Sequence, residues 1–153
     1  MRLSERLFLW GFRAMAQQHR CGCPVGDEIR TVYGRYQIDD IVGSLDAMIE
    51  AFASNAHTAI EIHSPNCPCV SESEKILLQA MAAAQSSDLN GARRAFQRWL
   101  PELAADWVVG PACGIAKTFQ TAGMTLPLRT IEAPDMHETT ATLSFANVSR
   151  ALH

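Results

Sequence analysis

The stretch that decides the fold is residues 38–56, I-D-D-I-V-G-S-L-D-A-M-I-E-A-F-A-S-N-A. Its apolar residues recur with a period close to 3.6 and its acidic residues fall on the opposite side, which is the pattern of an amphipathic helix. Asp39 and Asp40 stand near the N-terminal end, where the helix dipole favours negative charge. The pattern predicts a helix over residues 37–57 and leaves open an extension to Ile62.

Similar apolar stripes lie on both sides of this segment. They predict a helix over residues 3–18, a short one over 27–33, one that runs to about residue 85 behind an S-x-x-E capping box at 71–74, and further helices from residue 89 onward. Glu5 and Arg13 are expected on the solvent side of the first helix. Gly110 and Pro111 are expected to end one helix and to start another. The fold class that follows is all-α, an antiparallel bundle of about five or six helices.

Composition indicates a globular protein. The chain has 153 residues, of which 48% are hydrophobic and 19% charged, and this length is enough for one domain with its own core. The formal net charge is −3, so the clustered positive charge that nucleic acid requires is missing from the sequence. No run of eighteen apolar residues occurs, and the sequence therefore predicts no transmembrane segment.

The two ends of the chain carry separate expectations. Arg13 closes the apolar stretch near the N-terminus early, so we interpret that stretch as part of the fold and not as a secretion signal. A cytoplasmic location follows, where thiols stay reduced. Residues 1–128 are predicted to form the helical domain, and residues 129–153 an extended tail that docks on the body or on a partner subunit. Leu143 and Phe145 are the predicted anchors of that tail.

The most specific feature of the sequence is a pair of similar segments that contain cysteine. They are H-R-C-G-C-P-V at residues 19–25 and H-S-P-N-C-P-C-V at residues 63–70, and both are predicted to be loops. Thiolates bind zinc in tetrahedral sites, although the C-x-C spacing is narrower than the usual C-x2-C. The candidate metal ligands are Cys21, Cys23, Cys67 and Cys69, with His19 and His63 in reserve.

Other interpretations of the cysteines stay open at this point. One is that the loops carry thiols that oxidise to a disulfide between them, and Cys113, expected near a helix N-terminus, is a further redox candidate. Each segment contains a Cys-Pro dipeptide, which also occurs in proteins where a cysteine thiolate ligates haem iron. The remaining interpretation is that the cysteines are simply partly buried and bind nothing.

The sequence does not decide whether the protein is an enzyme. It contains no nucleophile elbow, no H-E-x-x-H, no Gly-rich phosphate loop and no E-x-x-H pair of a di-iron bundle, and no catalytic residue is predicted. We expect a small helical binding or regulatory protein that acts through a protein partner or through self-association as a homodimer, with metal bound by the two C-x-C loops. The alternative is a thiol-based redox protein that uses the same cysteines.

Overall fold

The computed structural model describes residues 1–129 and 143–144 of the chain. Its helices are α1 (Leu3–Cys21), α2 (Gly26–Gly34), α3 (Val42–Asn55), α4 (Glu72–Gln85), α5 (Leu89–Phe96) and α6 (Glu102–Thr121). A 3₁₀ turn (Asp39–Ile41) precedes α3, and a short strand, β1 (Glu61–Ile62), pairs with β2 (Leu143–Ser144). The predicted all-α helical bundle is confirmed. None of the helices in the described residues combines the length and the hydropathy needed to cross a membrane.

The helix predicted from residues 38–56 lies at the centre of the core. α3 packs against both α1 and α6, and its Phe52 side chain is fully buried. The ring centroid of Phe52 lies 6.2 Å from that of Phe12 in α1, 6.2 Å from that of Phe96 in α5 and 5.8 Å from that of Trp99. Because these rings meet close to edge-on, the contacts have the geometry that aromatic pairs prefer. Phe52 therefore connects three parts of the bundle.

α2 docks on α1 through one buried tyrosine. The Tyr33 hydroxyl donates to the carbonyl oxygen of Leu7 over 2.7 Å, and the Tyr33 ring meets the Trp10 ring edge-on with centroids 5.9 Å apart. Gly11 lies directly beneath the Tyr33 ring, and a Cβ atom at that position would lie 2.5 Å from Cζ of Tyr33. The absence of a side chain at Gly11 thus allows α2 to approach the α1 backbone.

Two helix ends differ from the predicted ones. α1 continues to Cys21, because Gly22 adopts a left-handed conformation (φ 74°) and its N–H caps the helix by donating to the Gln18 carbonyl over 2.7 Å. Cys21 is therefore on a helix and not in a loop. α3 ends at Asn55 and does not extend to Ile62, which lies in β1 and is fully buried.

The predicted helix break at Gly110 and Pro111 is wrong, since α6 continues through both residues. Pro111 has no N–H to donate to the carbonyl of Trp107, a defect that costs about 3 kcal/mol or more in a helix interior. Buried residues at helical spacing continue on both sides of the proline: Ala105, Val108, Ala112, Ile115, Ala116 and Phe119. Burying each large side chain of this kind stabilises by about 1.5 to 3 kcal/mol, so packing holds the helix together across Pro111.

Beyond α6 the chain returns to the start of α1. Arg129 Nη2 donates to Glu5 Oε2 over 2.9 Å, and the expectation that Glu5 faces solvent is wrong because this side chain is buried. Farther on, the structure describes only β2, which runs antiparallel to β1 with Leu143 opposite Ile62. Phe145 lies outside the described residues, and the predicted burial of the Leu143 side chain stays a prediction. The division into a helical domain and a tail stays a prediction.

Candidate functional site

The second cysteine loop, residues 63–70, begins with a tight turn. Cys67 N–H donates to the Ser64 carbonyl over 3.1 Å, which places Pro65 and Asn66 at the two central positions. Proline suits the first of these because its ring sets the backbone angle φ near the value that the turn needs. The conformation of the loop tip is therefore determined by residues of the loop itself.

A buried ion pair joins α1 to α4 beside this loop. Arg13 of α1 donates from Nε to Glu74 Oε1 over 2.6 Å and from Nη2 to Glu74 Oε2 over 2.7 Å. The two side chains are 5% and 0% exposed, and a two-bond contact between guanidinium and carboxylate is strong in such surroundings. The expectation that Arg13 faces solvent is wrong, because Glu74 neutralises its charge inside the protein.

The other N–H groups of Arg13 hold the backbone of the second cysteine loop. Nη1 donates to the carbonyl oxygen of Cys67 over 2.8 Å, and Nη2 donates to that of Cys69 over 2.6 Å. A guanidinium presents its N–H donors in fixed directions, so the carboxylate of Glu74 on one edge orients the other donors toward these two carbonyls. The loop is thereby fixed relative to α1 and α4 without regular secondary structure of its own.

Glu74 and His63 complete this buried cluster. Glu74 accepts from the N–H groups of Ser71 (2.9 Å) and His63 (3.0 Å), and Ser71 Oγ accepts from Glu74 N–H (3.1 Å), so the predicted capping box is present. His63 Nδ1 lies 3.0 Å from the Cys69 carbonyl oxygen and 3.4 Å from Glu74 Oε2. Because both of these neighbours are acceptors, the imidazole proton belongs on Nδ1. The carboxylate of Glu74 therefore takes part in the N-terminal cap of α4 and also binds the backbone of His63 in the second cysteine loop.

The first cysteine loop is the connection from α1 to α2, residues 22–25. Val25 N–H donates to Gln18 Oε1 over 2.8 Å, which ties the loop to the last turns of α1. Cys21 and Cys23 are both exposed, and Cys21 Sγ lies 3.9 Å from Arg20 Nη2. Both thiols of this loop region are therefore accessible from solvent.

Both cysteine loops border one groove that runs along α1. Its larger cavity, of about 750 Å³, lies between α1, α2 and the second cysteine loop and is lined by Trp10 and Cys67, among others. A smaller cavity, of about 250 Å³, is lined by Trp10 and Cys23. Pro65 and Asn66 line both cavities, so the tip of the turn lies where they meet. We call the two cavities together the α1 cleft.

Apolar side chains form most of the larger cavity. They are Met1, Leu3, Leu7, Leu9 and Trp10 at and along α1, Val32 of α2, Tyr36 of the turn after α2, and Pro65 and Pro68 of the second cysteine loop. The charged side chains that line it are Arg6 and Arg13. A concave, largely apolar site with a few polar groups is the usual form of a binding site, and its volume lies in the usual range.

The structure brings some of the predicted cysteine ligands together and separates others. Cys23 and Cys67 line the α1 cleft from its two cavities. Cys21 is exposed at the end of α1, and Cys69 is half-buried with its carbonyl held by Arg13. Within residues 1–129 and 143–144, no three or more His, Cys, Asp or Glu side chains are grouped so that they would hold a metal ion. The zinc site stays a prediction.

The two reserve histidine ligands have other neighbours. His19 Nδ1 lies 3.7 Å from Glu50 Oε2 of α3, and His63 is buried in the cluster with Arg13 and Glu74. The structure thus places His19 beside the core helix α3, whereas His63 acts on the second cysteine loop through its contact with the Cys69 carbonyl.

Cys113, the further redox candidate, lies in the interior of α6 and not near a helix N-terminus. The helix dipole therefore does not favour its thiolate in the predicted way. Burial raises the pKa of the Cys113 thiol, so at neutral pH it is held more firmly in the protonated form, which is the unreactive one. The redox role of Cys113 stays a prediction.

Sequence reasoning missed two residues that shape the site. Arg13 is buried and orients the second cysteine loop, and Trp10 lines both cavities. The capping box at Ser71 and Glu74 does point to the acidic partner of Arg13, but nothing local to Arg13 indicates that it turns inward. Trp10 follows the apolar stripe of α1, and a stripe of this kind predicts a core residue.

Comparison with known proteins identifies no relative. No protein-family model matches the chain, and no curated protein and no solved structure matches it significantly. The α1 cleft and its two cysteine loops therefore carry the functional conclusion.

Proposed function

We propose that this protein is a small helical binding protein whose site is the α1 cleft and whose ligand is a segment of another protein. The observation that supports this best is the cleft itself, two neighbouring cavities beside α1 that share Trp10, the larger of them mostly apolar. Apolar grooves beside a helix are well suited to side chains of a bound peptide segment.

The fixed wall of the cleft gives a second reason. The carbonyls of Cys67 and Cys69 are bonded to Arg13, which is itself paired with Glu74. A loop that is already ordered does not have to lose conformational freedom when a ligand binds, and this lowers the cost of association. The buried cluster thus preorganises one side of the cleft.

Replacing Trp10 with Ala is expected to weaken ligand binding. Trp10 is half-buried, and a partly exposed Trp in a groove is the type of side chain that dominates binding energy. The probes are random linear peptides displayed on phage and selected on the full chain, then measured by fluorescence polarisation. We expect the Kd to rise by about tenfold or more, which is roughly 1.4 kcal/mol.

Two further variants make this test specific. Trp107→Ala removes a Trp that is 56% exposed on α6, away from the cleft lining, and should leave the Kd within about twofold. Asn66→Trp adds bulk at the exposed turn tip where the two cavities meet and should weaken binding without disturbing a helix. Peptides that respond to Trp107→Ala, but to neither of the other two changes, would show that the site lies elsewhere.

A thiol-based redox function is the second candidate, supported by the position of Cys23 and Cys67 on the same cleft. A cytoplasmic location would keep both thiols reduced until an oxidant such as hydrogen peroxide reached them. The two sulfurs would then join in a disulfide, and the peroxide would be reduced to two water molecules with the two thiol protons. A link between the loops would narrow the cleft, so the same site would be regulated by oxidation.

Peroxide treatment followed by peptide mass spectrometry checks this candidate. We expect a Cys23–Cys67 linked peptide that disappears in Cys23→Ser, while Cys113 stays a thiol because burial raises its pKa. Linkage confined to the C-x-C pairs, or no linkage at all, contradicts it. Elemental analysis of protein purified without chelator tests the zinc prediction on the same material, since a closed thiolate site retains its metal.

A further inference from the structure

The larger cavity of the α1 cleft has one charged side chain without a counter-charge. Arg13 is neutralised by Glu74, but Arg6 is exposed on the lip of the cavity and forms no ion pair with any residue in the described part of the chain. Among the described residues that line this cavity there is no Asp or Glu. The larger cavity is therefore mostly apolar with a positively charged edge.

From this charge pattern we infer that the larger cavity of the α1 cleft binds a peptide segment in which apolar side chains are accompanied by a carboxylate from Asp or Glu. The inference rests on the proposed function and names the chemistry of the partner. The apolar side chains of the segment would contact Leu7, Trp10 and Val32, which line the cavity. The carboxylate would pair with Arg6 at its edge.

Arginine is well suited to this recognition. Its planar guanidinium can donate two parallel N–H bonds to one carboxylate, and the apolar wall beside Arg6 lowers the local dielectric, which strengthens the attraction. Arg2 is also exposed and precedes Arg6 by one helical turn, so it adds positive potential on the same side of α1. Segments with Lys or Arg at the same place would be repelled.

Matched synthetic peptides test the inference on the full chain. Each set has alternating Leu and Phe residues with a central Glu, and copies in which Gln or Lys replaces the Glu. We expect the Glu peptides to bind about threefold to fivefold more tightly than the Gln peptides, and the Lys peptides to bind more weakly than both. The preference for Glu should decrease as salt concentration rises.

The variant Arg6→Gln isolates the charge. It should remove most of the preference for Glu over Gln, with only the weaker effect of Arg2 left, while the Gln peptides keep their affinity, because the apolar part of the cleft is unchanged. Arg94→Gln is the matched control, since Arg94 is exposed on α5 and does not line the cleft; it should leave the preference intact. Equal binding of Glu and Gln peptides, unaffected by Arg6→Gln, overturns the inference.

The outcomes also separate this inference from the proposed function. If all peptides bind equally and Trp10→Ala weakens all of them, the cleft is a binding site without acidic preference, and only the inference fails. If no peptide binds either to the full chain or to the chain with Glu132, Asp135 and Glu138 changed to Gln, the proposed function fails as well. Residues 130–142 of the chain itself carry Glu132, Asp135 and Glu138 without Lys or Arg. Peptide binding that appears only after these three are changed to Gln would identify this segment as the occupant and overturn the inference of a partner.

Discussion

Replacing Glu74 with Gln is expected to lower the free energy of unfolding by about 3 to 5 kcal/mol, because it leaves the Arg13 guanidinium buried without its counter-charge. The pair is almost inaccessible to water, with side chains 5% and 0% exposed, so solvent cannot replace the lost carboxylate. The change also weakens the acceptor of the N–H groups of Ser71 and His63. Urea denaturation followed by circular dichroism measures the loss.

The control for this variant lies in the same helical turn. Glu72→Gln removes a carboxylate from the first turn of α4, but the Glu72 side chain is 41% exposed and pairs with Lys75 at the surface, where an ion pair contributes up to about 1 kcal/mol. Combining Glu74→Gln with Arg13→Met should recover part of the loss, since the buried charge disappears. Recovery stays incomplete because the Cys67 and Cys69 carbonyls lose their donors. Equal effects of Glu72→Gln and Glu74→Gln would contradict the central role of the buried pair.

Replacing Gly11 with Ala is expected to lower the free energy of unfolding by about 3 kcal/mol, through overpacking and the loss of a buried hydrogen bond. The new methyl group would collide with the Tyr33 hydroxyl and lie 2.5 Å from its Cζ atom. Tyr33 cannot move without losing its 2.7 Å bond to the Leu7 carbonyl. Burial raises the pKa of Tyr33, so its hydroxyl stays protonated and acts as the donor throughout the neutral range. Thermal and urea unfolding measure the change.

A second glycine provides the comparison. Gly43 in α3 is exposed, and a Cβ atom added there would meet no side chain of the described residues within 4 Å. Gly43→Ala should therefore stabilise the protein by about 0.5 to 1 kcal/mol. Tyr33→Phe in the Gly11→Ala background should restore only part of the stability, because the ring carbon remains too close. If Gly11→Ala and Gly43→Ala shift stability in the same direction, α2 is not packed on α1 in the way described.

Periodic burial explains why much of the bundle was predictable. The stripe in residues 38–56 predicted the central helix, and the capping box at Ser71 and Glu74 predicted the start of α4, because both signals are local to the element they define. The helix break predicted at Pro111 is absent from the structure, because the interactions that decide it are not local. A local defect in α6 is outweighed by apolar contacts with other helices, which no local pattern records.

The site was predictable only in part. The two similar cysteine-containing segments indicated a site at two loops, and both loops do border the α1 cleft, with Cys23 and Cys67 among its lining residues. The helical periodicity of α1 places Arg13 on the solvent side, so it could not predict that this side chain is buried. Its partner Glu74, 61 residues farther along the chain, compensates the charge, and that contact exists only after α1 and α4 have packed.

The same long-range contact sets how the second cysteine loop moves. Arg13 belongs to α1, Glu74 belongs to α4, and the loop carbonyls are bonded to both through one guanidinium. Loops without such ties usually open in local fluctuations that leave the core intact. Here, opening of the loop would break two bonds to Arg13 and leave donors of its buried guanidinium without acceptors, which opposes a separate local opening. The loop therefore belongs to the same cooperative unfolding unit as the hydrophobic core, and slow amide hydrogen exchange is expected at His63 and Ser71.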